Sequence, residues 1–151
     1  MQPTIKIGTA DFHVAKAPLI LESQGIGSCV VTCLYDSTQK VGAICHIILP
    51  TQANNLNPKR FANTALPLVF AELERLGCRR THLVAHLVGG ASMFHGLGTF
   101  INSIGNQNVI AVKQAITQQG IRIIGMDVGG TVGRNVVFDL RTGEVTVASK
   151  S

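Results

Sequence analysis

The chain has 151 residues, of which 46% are hydrophobic and 14% are charged, and it carries a net charge of +5. This composition excludes a disordered chain and provides for a sizeable core, so we expect one folded domain over residues 1–151. No apolar run approaches the ~20 residues that span a bilayer, and the N-terminus lacks the basic-then-apolar layout of a signal peptide, so we expect a cytoplasmic protein without membrane insertion.

The first third of the chain is predicted to be rich in strands. Short strands are expected at residues 4–8 and 19–21, followed by a glycine-rich turn at residues 24–29. Apolar runs at residues 30–35 and 41–49 are separated by turn-forming residues. This spacing predicts an antiparallel hairpin.

The rest of the chain mixes helices with further strands. A helix is predicted at residues 61–76, with Pro67 either kinking it or marking a later start. A strand at 80–88 leads into a tight turn at 89–94, and a second helix is expected at 106–119. A strand at 121–126, a glycine-rich loop at 127–133 and a hairpin of residues 135–140 with 144–148 complete the chain. Hairpins without strict alternation of strand and helix favour an α+β layered domain.

The pair Cys29 and His46 is the main candidate for chemistry. Cys29 closes the glycine-rich turn and precedes the first hairpin strand, whereas His46 lies on the returning strand. Antiparallel return brings His46 towards the end where Cys29 begins. A thiol near its ordinary pKa is mostly protonated at neutral pH, and an adjacent imidazole generates the nucleophilic thiolate. The sequence therefore predicts a nucleophilic cysteine, although a free cysteine is more often a small buried hydrophobe.

The other cysteines and histidines have simpler interpretations. Cys33, Cys45 and Cys78 form no CxxC pair and are expected to be reduced residues of the core. His82 and His86 have an HxxxH spacing, but on a predicted strand they would lie about 13 Å apart at about 3.3 Å per residue. One ion cannot bridge that distance, so we expect no metal site.

Six blocks of the sequence carry a resemblance to a known family. In chain order they are Gly27-Ser28-Cys29-Val30, Tyr35-Asp36, His46-Ile47-Ile48-Leu49-Pro50, Gly89-Gly90-Ala91-Ser92-Met93-Phe94, Ile104-Gly105 with Asn108-Val109, and Gly129-Gly130 with Gly133-Arg134. These blocks resemble, in order, the motifs of the CheD family, the chemoreceptor glutamine deamidases of bacterial chemotaxis. They span nearly the whole chain, which makes the resemblance far more specific than any single motif.

The resemblance implies a fold, a reaction and a site. The fold is an α/β/β layered sandwich with two main helices and mostly antiparallel strands. The reaction is the conversion of receptor glutamine side chains to glutamate through a cysteine thiolate and a thioester, with no cofactor. The catalytic set falls on Cys29, His46 and Ser23, where Ser23 stands at the family's threonine. Substrate contacts are expected at Gly27, Ser28 and Ser92, while Met93 and Phe94 are expected to be buried.

The resemblance also implies partners and leaves alternatives. The partners are the cytoplasmic helices of a methyl-accepting chemoreceptor and, further, a CheC-type phosphatase. Ser23 lacks the methyl group that restricts a threonine rotamer, so a module that binds receptor or phosphatase without strong catalysis is the second candidate. The glycine-rich loop departs from the family at Val128 and at Thr131-Val132. Nucleic-acid binding rests on the basic charge alone, and aromatic residues that would stack on bases make up only 5% of the chain.

Overall fold

The computed structural model describes residues 3–50, 57–92 and 103–150. These residues form nine strands and two α-helices. In chain order they are β1 Thr4–Lys6, β2 Phe12–Lys16, β3 Ile20–Ile26, β4 Val30–Asp36, β5 Val41–Ile47, α1 Ala62–Arg75, β6 Leu83–Gly89, α2 Ile104–Gln118, β7 Arg122–Val128, β8 Gly133–Asp139 and β9 Glu144–Lys150. Among the described helices, none is long and apolar enough to cross a membrane.

The strands form two mixed sheets. One sheet has four strands in the order β1-β3-β8-β9, and the other has five in the order β2-β5-β4-β6-β7. The pairs β1-β3 and β6-β7 are parallel, and the remaining five pairs are antiparallel. The predicted hairpin is confirmed, because β4 and β5 pair antiparallel over their full lengths, from Val30 opposite Ile47 to Asp36 opposite Val41.

Two hydrophobic cores hold three layers together. The helix-side core joins α1 and α2 to one face of the five-stranded sheet, and it includes Leu34, Leu66 and Ile116. The inter-sheet core joins the other face of that sheet to the four-stranded sheet, and it includes Leu21, Val31 and Phe138. Because strand side chains alternate between faces, the middle sheet supplies both cores, and its central strands β4 and β5 are buried on both sides. The α+β layered sandwich predicted from the sequence is therefore confirmed.

Four elements differ from the prediction. Strand β2 was not predicted, and β3 extends from Ile20 to Ile26 instead of ending near Leu21. Pro67 lies inside α1 without ending it, because it faces solvent while Leu66, Val69 and Leu73 of the same helix are fully buried against the sheet. That burial outweighs the one helical hydrogen bond that a proline cannot donate. The strand predicted from residue 80 begins at Leu83, after a 3-10 turn that contains His82.

Candidate active site

The hairpin places Cys29 and His46 on the same face of the five-stranded sheet. His46 pairs directly with Val31, a residue of the inter-sheet core, and Cys29 lies two positions before Val31 and packs against the same core. Diagonal neighbours within a ladder are about 7–8 Å apart between Cα atoms, and Cys29 lies one residue before this ladder begins at Val30. The prediction that antiparallel return brings the imidazole towards the thiol end of the hairpin is confirmed by this register.

Ser23 approaches His46 from the opposite sheet. It lies in β3, is fully buried, and its Oγ is 2.9 Å from Nδ1 of His46. The same hydroxyl is 3.4 Å from the carbonyl oxygen of Ile7, which can only accept a hydrogen bond. When Ser23 donates its single proton to Ile7, it accepts from Nδ1–H of His46. That arrangement leaves the lone pair on Nε2, which is the tautomer that a general base requires.

Burial keeps both the imidazole and the thiol neutral. His46 is only 2% exposed, and burial lowers its pKa from 6.5 to about 4. Its Nε2 has no hydrogen-bond partner within the part of the chain that the structure describes. Cys29 is half-buried, and burial raises its pKa, an effect that a hydrogen bond from its own backbone N–H partly offsets. The resting site therefore holds a thiol and a neutral base rather than a thiolate and an imidazolium.

The turn between β1 and β2 fixes the main chain of His46. The N–H of Ala10 donates to the carbonyl of His46 at 3.1 Å, and the N–H of His46 donates to the carbonyl of Asp11 at 2.9 Å. Ala10 adopts a φ of 59°, a left-handed conformation that is unfavourable for residues other than glycine. The two hydrogen bonds hold the main chain of His46, and the contact of Ser23 with Nδ1 holds its imidazole.

The turn that carries the thiol, residues 27–29, is held by residues 89–91, which we call the glycine corner. The N–H of Gly90 donates to the carbonyl of Cys29 at 2.7 Å, and the N–H of Ala91 donates to the carbonyl of Gly27 at 2.9 Å. Gly89 has a φ of 118°, and a Cβ at this position would overlap the carbonyl oxygen of Cys29. Only glycine permits so close an approach of the two segments.

Arg134 supports the glycine corner from below. It is 9% exposed, and its guanidinium donates to the carbonyls of Gly89 and Gly129 at 3.3 and 2.9 Å. It also forms an ion pair with Asp127 at 2.9 Å. Arginine suits this place because its planar group carries five donors and can satisfy several acceptors at once.

The predicted substrate contacts are divided between two places. Ser92 lies in a cleft of about 200 Å³, together with residues of the glycine corner, the start of α2 and the loop before β8. Gly27 and Ser28 do not line this cleft but belong to the turn beside it, which the glycine corner connects to Ser92. Met93 and Phe94 lie outside the described residues.

In the sequence Asn108 stands out only as part of a motif, but in the structure its side chain contacts the chain segments of both Cys29 and His46. It is fully buried in α2, and its Nδ2 donates to the carbonyl of Ser28 at 3.0 Å and to the carbonyl of Ile48 at 2.8 Å. Ser28 precedes the thiol, and Ile48 follows the strand of His46. A polar residue on the buried face of α2, in line with Val112 and Ile116, was the signal that could have identified it.

The other three cysteines are buried, and the two histidines of the HxxxH spacing lie in different elements. Cys33, Cys45 and Cys78 are 2%, 0% and 5% exposed, which confirms their assignment to the core. Burial raises the pKa of the Cys45 thiol to about 12 and that of the Cys78 thiol to about 11. His86 is on β6, but His82 is in the preceding 3-10 turn, so the prediction that both lie on one strand was wrong.

A thiol, a neutral imidazole and a hydroxyl that orients the imidazole form the set of groups by which cysteine hydrolases attack a carbonyl carbon. A family model described as CheD chemotactic sensory transduction matches residues 48–149, a range that begins after Ser23, Cys29 and His46. Alignments with whole relatives extend over nearly the full length of the chain. They therefore also cover the segments that contain Ser23, Cys29 and His46.

Each of three relatives is named "Probable chemoreceptor glutamine deamidase CheD". The relative from Desulforamulus reducens is 45% identical over 147 residues, which cover 95% of this chain and 89% of the relative. The relative from Syntrophomonas wolfei is 41% identical over 151 residues, with 97% and 94% covered. The relative from Clostridium novyi is 42% identical over 147 residues, with 95% and 91% covered. The chain belongs to the CheD family.

Proposed function

We propose that this protein deamidates glutamine side chains of chemoreceptors, with Cys29 as nucleophile, His46 as general base and acid, and Ser23 as the residue that orients the imidazole. The observation that carries the proposal is the buried hydrogen bond of 2.9 Å between Ser23 and Nδ1 of His46. His46 pairs with Val31, two residues after Cys29. The names of the relatives, which describe them as probable chemoreceptor glutamine deamidases, support the choice of substrate.

The first half of the reaction transfers the glutamine acyl group to the protein. Because the resting pair is neutral, Nε2 of His46 takes the proton of the Cys29 thiol as the sulfur bonds to the amide carbon. The carbonyl oxygen becomes an oxyanion, and we propose backbone N–H groups near Ser28 and Cys29 as its hydrogen-bond donors. The imidazolium then protonates the amide nitrogen, the carbon–nitrogen bond breaks, and ammonia departs. The acyl group remains bound to Cys29 as a thioester.

The second half returns the protein to its starting state. His46, neutral again, removes a proton from a water molecule that attacks the thioester carbon. The carbon–sulfur bond breaks, the imidazolium returns its proton to the sulfur, and the receptor carries glutamate where glutamine had been. Each step uses groups of this chain, the substrate and water, so the proposed reaction requires no cofactor.

The proposed substrate determines the setting in which the protein works. We propose that the chain is one catalytic domain that acts in the cytoplasm, where the cytoplasmic helices of a chemoreceptor lie. Its net charge of +5 favours contact with an acidic surface. Gly27, Ser28 and Ser92 are proposed to contact the substrate, and a CheC-type phosphatase is proposed as a further partner.

Mass spectrometry of a receptor cytoplasmic fragment tests the proposal. After incubation with the protein, specific glutamines are expected to show the mass change of conversion from amide to acid. Cys29→Ala should abolish the change. Cys33→Ala is a matched control, because Cys33 lies on the same face of β4 and is buried in the inter-sheet core. Modification that persists in Cys29→Ala would show that another group performs the reaction.

The second candidate is a module that binds receptor or phosphatase with little or no catalysis. Two points favour it: the resemblance places Ser23 at a position where the family is expected to have threonine, and burial shifts the pKa of Cys29 upwards and that of His46 downwards, away from the ion pair. An unmodified receptor fragment that nevertheless binds the protein tightly would support this function over deamidation.

A further inference from the structure

We propose that Asn108 is a positioning residue of the active site, which sets the approach of Cys29 to His46 by connecting their two chain segments to α2. This inference rests on the proposed function, because it takes Cys29 and His46 as the reacting pair. It goes beyond that function by assigning a role to a residue that does not touch the reacting atoms.

The orientation of the Asn108 side chain follows from its neighbours. Its nitrogen lies 3.0 Å from the carbonyl of Ser28 and 2.8 Å from the carbonyl of Ile48, and both carbonyls can only accept hydrogen bonds. The two protons of Nδ2 are therefore both used, and rotation of the amide by 180° would bring Oδ1 against two oxygens. The amide nitrogen thus satisfies both carbonyls from one point.

The two carbonyls belong to the segments that carry the reacting groups. Ser28 is the residue before Cys29, and Ile48 is two residues after His46, so each contact lies within two residues of the group that it positions. Between Val30 and Ile47 the two strands are joined by their own ladder, but the turn before Val30 lies beyond that ladder. Asn108 continues the connection beyond the end of the hairpin, where the sulfur is located.

The polar side chain is unusual for its position in the helix. Asn108 shares the buried face of α2 with Val112 and Ile116, where an apolar residue would pack without polar atoms to satisfy. Its Oδ1 has no hydrogen-bond partner among the described residues, and a buried acceptor without a partner destabilises a fold. Asparagine is thus a poor choice for packing alone, which favours a role in holding the two carbonyls.

Alkylation of Cys29 by iodoacetamide tests the proposal without a receptor substrate. Cys33, Cys45 and Cys78 are buried, so labelling of the folded protein reports on Cys29, and peptide mass mapping verifies the labelled residue. The variants are Asn108→Ala, His46→Asn and the double variant, which together form a double-mutant cycle. If Asn108 acts through the pair, each single change slows alkylation near neutral pH by about tenfold, and the double change adds little.

Val112→Ala is the matched control, because it shortens an equally buried side chain one turn further along the same face of α2. It should lower the melting temperature and leave the rate and pH profile of Cys29 alkylation unchanged. Asn108→Ser, which keeps one donor in a small side chain, should give an intermediate rate. This variant also keeps the test available if Asn108→Ala does not fold. Additive effects of Asn108→Ala and His46→Asn on alkylation would overturn the proposal.

Deamidation of the receptor fragment provides a second measurement. Asn108→Ala is expected to lower kcat by about 100-fold with little change in KM, because misplacement of reacting groups by about 1 Å costs that much. A change confined to KM would overturn the proposal. If the alkylation rates of the four proteins are non-additive but the wild type modifies no receptor fragment, the proposed function is refuted and the role of Asn108 is supported.

Discussion

The burial of His46 makes the stability of the protein depend on pH in a measurable way. In the unfolded chain an imidazole titrates near 6.5, whereas in the folded protein burial lowers the pKa of His46 to about 4. Above 6.5 the imidazole is neutral in both states and costs nothing. Between 6.5 and 4 the unfolded chain binds a proton that the folded protein does not, so stability falls as the pH falls.

The size of the effect follows from the same two values. The interval of about 2.5 units between 6.5 and 4 corresponds to about 3 kcal/mol of unfolding free energy, at about 1.36 kcal/mol per unit. Whole domains are stable by only ~5–15 kcal/mol. One buried imidazole therefore accounts for a considerable share of the acid sensitivity of this fold.

Urea denaturation of the wild type and of His46→Asn, from about pH 7 to about pH 4, measures this contribution. Asparagine cannot titrate but keeps a polar atom near the position of Nδ1, in reach of Ser23. Other titrating groups contribute to both proteins and cancel in the difference. The stability difference between the wild type and the variant should move by about 3 kcal/mol in favour of the variant as the pH falls.

His86→Asn is the matched control for this experiment. Burial also lowers the pKa of His86, but His86 is only half-buried and the charge of Asp127 acts in the opposite direction. Its replacement should therefore remove a smaller part of the pH dependence. A wild type and a His46→Asn variant with parallel pH profiles would refute the inference that the imidazole is buried and neutral, and with it the neutral pair in the proposed reaction.

Three further predictions concern the residues that support the site. Ser23→Ala should lower the unfolding free energy in urea by about 1–3 kcal/mol and reduce kcat, because Nδ1 of His46 loses its partner; Ser23→Thr should keep or raise kcat, and a sharp fall would contradict the orienting role. Gly105→Ala should lower the melting temperature, although alanine normally stabilises a helix over glycine by about 1 kcal/mol, because the added Cβ would overlap carbonyl oxygens of the glycine corner; a higher melting temperature would contradict this contact. Arg134→Met should cost about 2 kcal/mol in urea denaturation, with Arg134→Lys between it and the wild type, because the guanidinium satisfies two carbonyls and Asp127; equal stability of all three proteins would contradict it.

The layered fold was predictable from local patterns wherever a strand is buried on both faces. The two apolar runs that became β4 and β5 are buried throughout, and their common turn determined the hairpin. β2 could not be found in this way, because none of its residues is fully buried and its sequence does not alternate strictly in polarity. The glycine-rich run at residues 24–29 predicted a turn where β3 continues to Ile26. In the structure Gly25 lies within the strand at a φ of 66°, next to an irregularity in its pairing with β8.

The candidate site divides into residues that local pattern indicates and residues that only tertiary contact reveals. Cys29 and His46 follow from a glycine turn and two pairing strands. Ser23 was suggested by family resemblance, because nothing in the sequence shows that β3 crosses above β5 in the other sheet. Asn108 depends on three segments meeting at one amide, namely those of Ser28, Ile48 and α2.

These contacts make the site a product of all three layers of the fold. The four-stranded sheet provides Ser23, the middle sheet provides His46 and, at its rim, Cys29, and the helical layer provides Asn108. A shift between any two layers would change a distance within the site, so packing of both cores directly affects the geometry of the proposed reaction. The same packing removes water from His46, lowers its pKa and gives a neutral base at physiological pH. Acid sensitivity of the fold is thus the physical consequence of burying the general base in its neutral form. Variants that expose His46 should gain acid stability while they lose the orientation that Ser23 provides.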